Sequence, residues 1–331
     1  MNWYNYYYKR IGRGEKKLNF IGNRYEIINC TGDIDLNKIY KARDAYDNKT
    51  VLIKVIEHNP NICEDFVSNL IDENTMIKQI HSPYILKIID VGIHCTELTT
   101  LYYIVSEYSE GIGLDNLISG NYLHLEAIIN ISTQILKALE VTHTNRVYHG
   151  DLNPGNIMVD EMYNVKIFGY GITKANNGVN LRVCDEVKYL CPHQLCINYT
   201  DEESDYFTLG LILFESIFKK LPFGEANNDE EMLRLIDKGI AWNELKAING
   251  NNELINVIKR LLSRDKKYNN IQDIIIDLSS IMYEKADIEE EVEEIEEFNE
   301  VDSKDKKRRS TKLLLAASMV ALVSVMILSV I

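Results

Sequence analysis

The stretch from His149 to Asp160, HGDLNPGNIMVD, constrains the fold and the chemistry of this chain more than any other. It contains a carboxylate, Asp151, and a carboxamide, Asn156, five residues later. Pro154 and Gly155 between them are typical of turns, because proline fixes φ and glycine tolerates positive φ. A carboxylate can orient or deprotonate a hydroxyl group, and an amide oxygen can ligate a hard cation that bridges phosphates. The stretch therefore predicts a rigid loop that carries a base and a cation ligand.

Composition and charge narrow the class of protein. The chain has 331 residues, of which 46% are hydrophobic, so it can bury a large core. Its formal net charge of −14 argues against a nucleic-acid-binding protein, because phosphate contacts need a basic surface. The six cysteines form no CxxC pair, and no apolar run of signal-peptide length opens the chain. We therefore expect reduced cysteines and a protein body that lies in the cytoplasm.

The chain before the loop predicts a β-rich half that is followed by helices. From Arg24 to Glu57, short runs rich in Ile, Val and Tyr are separated by turn signals, which is typical of antiparallel strands. One run, VLIKV, places Lys54 on an apolar strand, where a buried ammonium group needs a partner. The helical run Glu64–Ile80 supplies a carboxylate, Glu73. Apolar residues at i, i+3 and i+4 predict two further helices, Leu114–Ile118 and His124–Thr144.

These motifs together resemble the protein kinase family. HGDLNPGN is similar to the family's catalytic loop HRDLKPEN, and VLIKV is similar to its VAIK strand. SEYSEG, from Ser106, resembles the hinge between the lobes, and SDYFTLG, from Ser204, resembles the helix whose aspartate anchors the catalytic loop. The resemblance covers about Arg24 to Tyr283 and implies an α+β, two-lobed fold with a β-rich N-lobe and a helical C-lobe. Residues 1–23 form an N-terminal extension.

The resemblance also implies roles for the site residues. Asp151 would be the catalytic carboxylate and Asn156 a metal ligand. Lys54 would hold the α- and β-phosphates of ATP and would be paired with Glu73. The other expected ATP contacts are the backbone at Glu107 and Tyr108, which would meet the adenine, and Gly32 of the phosphate-covering loop.

Several positions depart from the family pattern where it touches phosphate, metal or nucleophile. Gly169 stands where the metal-binding aspartate is expected in VKIFGYG, and Asn153 replaces the lysine of the catalytic loop. The other departures are Gly150 for the arginine that reads a phosphorylated activation loop, Glu186 for the threonine that bonds the catalytic aspartate, and Ile34 and Asn37 for glycines. We therefore expect ATP to bind weakly, if at all, and the use of Mg²⁺ stays open.

One change in the helical half is correlated with another. His193 occupies the position of a glutamate that the family pairs with a buried arginine, and the late stretch LLSRDKKYNN has no arginine at the matching place. Losing one member of a buried pair costs roughly 3–5 kcal/mol, whereas losing both can be nearly neutral. A zinc site is the alternative for this region, but the resemblance already accounts for its residues, Cys184, Cys191, His193 and Cys196.

The end of the chain predicts a single-pass membrane anchor. Leu313–Ile331 carries no charge, and a helix of that length spans roughly 28 Å, close to the thickness of the hydrocarbon core. The linker before it, 284–312, is acidic and then basic, and its basic run places the N-terminal domain in the cytoplasm by the positive-inside rule. Within the linker, apolar residues of Ile288–Val301 recur at three- and four-residue steps, so a homodimeric coiled-coil stalk is an alternative to a solvated linker.

Two functional classes fit these observations. The first is a membrane-anchored pseudokinase, a signalling scaffold or regulator that binds a protein partner and retains weak nucleotide binding. The alternative is an active, atypical Ser/Thr kinase that transfers the ATP γ-phosphate to protein hydroxyls with Asp151, Asn156, Lys54 and Glu73. The departures favour the first class. A small-molecule phosphotransferase shares HGD-type loops, but the hinge and SDYFTLG resemble protein kinases more closely.

Overall fold

The computed structural model describes residues 19–30, 38–97, 99–182, 187–245, 252–264 and 268–282. The chain divides into two compact units, Met1–Leu278 and Ser279–Ile331. The strands and helices named below belong to the first unit. A further helix at 271–282 runs from the first unit to the end of the described residues.

An antiparallel sheet forms the N-terminal half of the first unit. Its spatial order is β1-β2-β3-β4-β6-β5. The strands are β1 (Phe20–Ile21), β2 (Tyr25–Cys30), β3 (Lys38–Asp44), β4 (Thr50–Glu57), β5 (Ile88–Cys95) and β6 (Thr100–Glu107). Strand β4, TVLIKVIE, is buried at every position except its two ends, because it pairs with β3 and β6 and both its faces are covered. Its lysine therefore lies in the interior of the lobe.

Helix α1 (Phe66–Ile77) packs against this sheet. Its buried residues recur at three- and four-residue steps, so one face of the helix is covered. Phe66 and Leu70 of that face share a core cluster with Ile56 of β4 and Ile104 of β6. This packing sets where Glu73, on the same helix, can reach.

The C-terminal half of the first unit is helical. Its helices are α2 (Leu114–Ser119), α3 (Leu125–Thr144), α4 (Ile172–Ala175), α5 (Pro192–Ile197), α6 (Glu202–Phe218), α7 (Asp229–Lys238) and α8 (Asn252–Leu261). A small sheet of β7 (Ile112–Gly113), β8 (Ile157–Val159) and β9 (Val165–Ile167) lies beside them in the order β7-β8-β9. The catalytic-loop stretch connects α3 to β8.

Helix α6 is the buried centre of the helical half. Most of its residues are buried, which is expected of a helix with apolar residues on nearly every face. Its N-terminus is closed by a capping box, in which Asp201 Oδ1 accepts from Ser204 N at 3.0 Å and Ser204 Oγ accepts from Asp201 N at 3.2 Å. The cap fixes the first turn and thereby the position of Asp205.

A sheet half joined to a helical half is the two-lobed α+β fold that the sequence predicts. The helices predicted at Leu114–Ile118 and His124–Thr144 occur as α2 and α3. Among the described residues, no helix is both long enough and apolar enough to cross a membrane. The predicted span Leu313–Ile331, the stalk Ile288–Val301 and Gly32 all lie outside the described residues.

Candidate functional site

Asp205 of α6 binds the backbone of the loop that follows α3. The two carboxylate oxygens of Asp205 accept from His149 N and Gly150 N, each at 2.8 Å. Oδ2 also lies 2.8 Å from His143 Nε2 of α3. Burial would raise the pKa of Asp205, but the hydrogen bond and the charge of His143 outweigh it, and the pKa lies below its usual range. A charged carboxylate thus fixes the backbone just before Asp151.

Asn153 and Asn156 shape the loop from within. Asn156 Nδ2 donates to the carbonyl of Asp151 at 2.6 Å and to its Oδ2 at 3.2 Å. Asn153 Nδ2 donates to the same carbonyl at 3.0 Å, and Asn153 Oδ1 accepts from Gly155 N at 3.0 Å. Asn153 therefore closes the turn, a role that a lysine at this position would not perform. Asn153, which replaces the family's catalytic-loop lysine, thus stabilises the conformation of the loop.

The predicted ion pair between Lys54 and Glu73 is wrong for this structure. Lys54 Nζ lies 2.9 Å from Asp151 Oδ2 and 3.5 Å from Asn156 Oδ1. The Lys54 side chain is 1% exposed and that of Asp151 36%. A buried ammonium group needs a carboxylate, and it takes the one on the opposite lobe. Glu73 instead has its Oε2 2.9 Å from Lys174 Nζ.

Helix α4 explains why the two pairs are exchanged. Ile172 and Ala175 of α4 belong to the same apolar cluster as Phe66 of α1, so α4 lies directly against α1. Asn69 Nδ2 of α1 donates to the carbonyl of Ala175 at 2.9 Å. This contact brings Lys174 to Glu73 and leaves Lys54 to the catalytic loop.

Asn176 fastens the end of α4 to the segment before α1. Its Oδ1 accepts from Cys63 N at 2.8 Å, and its Nδ2 donates to the carbonyls of Asn61 at 2.8 Å and Val179 at 3.0 Å. The Asn176 side chain is buried, so its amide group depends on these three partners rather than on water. The role of Asn176 could not be predicted from the sequence, because the motif around it gives no signal for a contact across more than a hundred positions.

The two glycine replacements have backbone reasons. Gly150 has φ +71, and a Cβ atom there would lie 2.7 Å from Thr200 and 2.8 Å from Thr173. Its carbonyl accepts from Gln194 Nε2 at 2.7 Å and also from Asn180 Nδ2. Gly150, at the position of the family's arginine, is therefore surrounded by neutral side chains and has no room for a side chain of its own.

At Gly169 the side chain is missing although space exists. A Cβ atom would meet its nearest neighbour, Ile172, at 3.4 Å, but φ is +98, a conformation that L residues rarely adopt. No carboxylate can reach the cation position from this residue, and Asn156 Oδ1 already faces the Lys54 ammonium group. Among the described residues no group of three or more His, Cys, Asp and Glu forms a metal site. The residues present fit Mg²⁺ poorly.

The predicted adenine contacts lie at the end of β6. Glu107 N donates to the carbonyl of Lys87 at 3.0 Å, so a contact between Glu107 and an adenine has to use the Glu107 carbonyl. Tyr108 Oη accepts from Lys41 Nζ of β3 at 3.0 Å, and that ammonium group lies 4.3 Å from the ring centroid. The two side chains cover this edge of the cleft.

An apolar cluster between the lobes was not predicted from the sequence. Tyr108 packs against a cluster formed by Ile39 of β3, Leu52 of β4, Leu86 and Phe168. Leu52 occupies the alanine position of VAIK, so the larger side chain was visible in VLIKV and signalled a narrower site. Bulky residues from both sides of the cleft meet here and reduce the room for a base.

Comparisons with known proteins agree with this architecture. The family described as protein kinase domain matches residues 25–270. The chain is 31% identical to a probable serine/threonine-protein kinase of Clostridium perfringens, over 79% of this chain and 38% of that protein. It is 32% identical to serine/threonine-protein kinase PrkC of Bacillus subtilis, over 62% of this chain and 32% of that protein. It is 28% identical to the probable serine/threonine-protein kinase PknB of Lactococcus lactis, over 78% and 42%. The chain thus spans well under half the length of these relatives.

Proposed function

The chain belongs to the protein kinase domain family, and on that premise we propose that it is a Ser/Thr protein kinase-like pseudokinase. In this proposal it acts as a signalling scaffold or regulator that binds a protein partner. Nucleotide binds its cleft weakly and serves as a conformational ligand. Two cleft positions, Asn153 and Gly169, support this proposal because they lack the side chains that phosphate transfer uses there in the family.

The ion pair between Lys54 and Asp151, 2.9 Å long, carries the proposal. In the family the lysine holds phosphates and the aspartate orients the substrate hydroxyl. Here each neutralises the other, so the ammonium group is not directed at phosphates and the carboxylate oxygen is not free for a hydroxyl. ATP would have to break this pair before it could bind as it does in an active kinase.

The chemical losses add to that barrier. Gly169 removes a carboxylate that would ligate the metal, and Asn153 removes a cation near the transferred phosphoryl group. Electrostatic groups of this kind each contribute several kcal/mol to lowering a barrier, as the roughly 2.7–4 kcal/mol for one oxyanion donor illustrates. Losing two of them leaves turnover many orders of magnitude below that of an active kinase.

We further propose that the protein is tethered to a membrane by Leu313–Ile331, with the kinase-like domain in the cytoplasm. The uncharged length of that segment and the basic run before it support the tether. A tether confines the domain to two dimensions, which suits a scaffold that meets membrane-bound partners.

Phosphate transfer from γ-labelled ATP tests the proposal. Full-length protein in detergent micelles is incubated with ATP and Mg²⁺, alone and with a generic Ser/Thr substrate, and Asp151→Asn is the matched control. We expect the same background label in both proteins. Label that is well above background and disappears in Asp151→Asn would overturn the pseudokinase assignment. We expect Gly169→Asp to stay inactive, because its φ of +98 strains the aspartate and Asn153 is unchanged.

One observation favours the alternative, an atypical active kinase. Lys54, Glu73, Asp151 and Asn156 all remain, and Glu73 is withheld from Lys54 by a pair with Lys174, which is 30% exposed. Removing that competitor would let Glu73 and Lys54 meet. If Lys174→Met gains label in the same assay and Lys174→Met with Asp151→Asn does not, the chain is a repressed kinase.

A further inference from the structure

A cavity of about 430 Å³ lies in the helical lobe, apart from the cleft. It opens to the surface and is lined by the start of α5, the first turns of α6, the end of α8 and the residues that follow α8. Its volume falls in the range of small-molecule sites, which is about 300–1,000 Å³. Neither Lys54 nor Asp151 lines it, so occupancy of the two sites can be measured independently.

The cavity is present where the sequence predicts the loss of a buried ion pair. His193, at the position of the expected glutamate, is on the cavity wall. Its Nδ1 lies 3.1 Å from Asp201 Oδ2, so the ring is directed to the start of α6 and is about 42% exposed. Tyr268, which follows α8, also lines the cavity. The side chains of His193 and Tyr268 leave the cavity between them unfilled.

Part of the wall is aromatic and aliphatic. Tyr206 and Phe207 come from α6, Leu261 from α8, and Tyr268 follows α8. All four side chains are largely buried. Such a wall covers a flat aromatic or branched apolar group, because aromatic rings bind one another by stacking and edge contacts.

Two arginines on the wall, Arg260 and Arg264, can donate hydrogen bonds to an anionic ligand. Arg260 has its Nη1 3.4 Å from Asp277 and its guanidinium carbon 3.8 Å from the ring centroid of Tyr268. Arg264 has its Nη1 2.6 Å from Asp237. Each contact to a carboxylate uses one nitrogen of a guanidinium group that carries five N–H donors. Arginine in this setting suits a planar carboxylate, which accepts two parallel hydrogen bonds.

The acids on the wall are already engaged. Asp201 accepts from Ser204 N and Ser204 Oγ at 3.0 and 2.9 Å and from His193. Glu203 also takes part in a contact. Asp201 is therefore satisfied by donors of its own, and the guanidinium groups of Arg260 and Arg264 are the charged donors that the wall presents to a ligand.

We infer that this cavity binds a small organic anion, a carboxylate carried on an aromatic or branched apolar body. The apolar body lies among Tyr206, Phe207 and Tyr268, and the carboxylate meets Arg264 at the rim. This inference does not rest on the proposed function, because it concerns neither ATP nor phosphate transfer.

Calorimetric titration of the full-length protein in micelles with 2-naphthoate tests the inference, with 2-naphthalenemethanol as the uncharged isostere. We expect saturable binding of the carboxylate and at least about tenfold weaker binding of the alcohol. Arg264→Gln should weaken naphthoate binding about tenfold, since it removes a charged hydrogen-bond donor. Arg234→Gln, which removes an exposed arginine of α7 outside the cavity, should leave the titration unchanged.

A second variant fills the space. His193→Trp should abolish naphthoate binding, because the larger ring occupies the apolar part of the cavity. Saturating ATP should not change the naphthoate titration. The inference is overturned if the wild type shows no saturable binding, if Arg264→Gln binds as the wild type does, or if ATP competes. If His193→Trp lacks a cooperative urea transition, Arg264→Gln decides alone.

Discussion

Lys54 illustrates how single residues determine the state of this cleft. Its side chain is 1% exposed, and a buried ammonium group without a carboxylate would cost several kcal/mol. The sequence offers two partners, Glu73 and Asp151, at the spacing of an active kinase. Which of them is used depends on Lys174, whose charge competes for Glu73. The identity of the pair thus depends on four residues: Lys54 of β4, Glu73 of α1, Asp151 of the catalytic loop and Lys174 of α4.

Asp151→Asn should destabilise the protein by about 1–3 kcal/mol, because it leaves Lys54 buried without its carboxylate. The value is below that of a fully buried pair, since the Asp151 side chain is 36% exposed. Lys54→Met in the same chain should recover most of the loss. Urea denaturation of the single and double variants measures both. Glu73→Gln is the control and should cost less than about 1 kcal/mol, because Lys174 is partly exposed. A coupling of Lys54 to Glu73 larger than its coupling to Asp151 would contradict the observed pairing.

His149 should make stability fall as pH drops below about 6.5, the pKa of an unfolded histidine. Burial lowers the pKa of His149 in the folded protein, where Nε2 lies 2.9 Å from the Phe168 carbonyl. Below about pH 6.5 the unfolded chain binds a proton at His149 and the folded chain does not. The free energy of unfolding therefore falls by up to about 1.4 kcal/mol for each pH unit of acidification. Asp205, whose pKa is depressed, adds a second loss near pH 4 and below.

Urea midpoints between pH 7.5 and 5 check the histidine effect. His149→Asn should flatten the dependence in that window, whereas His81→Gln, which changes an exposed histidine, should leave it as it is. An unchanged slope in His149→Asn would show that another group titrates there.

Residue identity at motif positions could be predicted from the sequence, but partners could not. Asp151 and Asn156 were placed together correctly, because a five-residue loop leaves little freedom. The partner of Lys54 was predicted wrongly, because the pairing depends on where α4 packs. The motif spacing is the same whether α1 contacts Lys54 or Lys174, so spacing alone cannot separate these two states.

At the scale of elements, α4 and α1 behave as one body. The apolar cluster contributed by Ile172, Ala175 and Phe66 joins them, and Asn176 closes the junction with hydrogen bonds to Cys63 N and the Asn61 carbonyl. Helix α1 can move toward Lys54 only if this junction opens.

Asn176→Ala should cost about 2–4 kcal/mol, since it leaves Cys63 N and two carbonyls without their partner. Hydrogen exchange of residues 61–70 should quicken, because the start of α1 loses its tether. Asn116→Ala, an exposed asparagine of α2, is the matched control and should change neither quantity by more than about 0.5 kcal/mol. Wild-type exchange rates in Asn176→Ala would mean that the apolar cluster alone holds α1.

For the whole molecule, the two-lobed fold was predictable because its signals are long and redundant. The strand runs that begin at Arg24 and the helical runs each carry a signal of their own, and one misplaced boundary leaves the architecture intact. The exception is β1 (Phe20–Ile21), which lies in the stretch assigned to the N-terminal extension. The cavity beside His193 was not predictable in the same way. The sequence announces the loss of an ion pair but not whether neighbours close the gap, because that depends on side-chain volumes from three helices.

Deleting Leu313–Ile331 should move the protein from the membrane to the soluble fraction with its fold retained. The segment lies beyond the first compact unit, and its uncharged length fits a bilayer span. Carbonate extraction followed by circular dichroism measures location and folding. A deletion that removes an equal length from the N-terminal extension, residues 1–19, is the control for chain shortening. If the shortened chain still sediments with membranes, the anchor lies elsewhere.

Nucleotide binding by the whole protein should be weak and should gain little from Mg²⁺. ATP can meet the hinge through the Glu107 carbonyl and can draw Lys54 from Asp151, but Gly169 offers the metal no carboxylate. Binding then stabilises the folded state by RT ln(1 + [L]/Kd), roughly 1–3 kcal/mol at several to a hundred times Kd.

A thermal-shift titration with ATP, with and without Mg²⁺, measures this stabilisation, and Lys54→Met is the control that removes the phosphate contact. We expect a small rise in Tm that is the same with and without the metal and is reduced in Lys54→Met. A rise that requires Mg²⁺ would reveal a metal ligand other than residue 169 and would favour the active kinase. No rise in Tm at any ATP concentration would mean that the Lys54–Asp151 pair does not open for nucleotide. The domain would then bind proteins only.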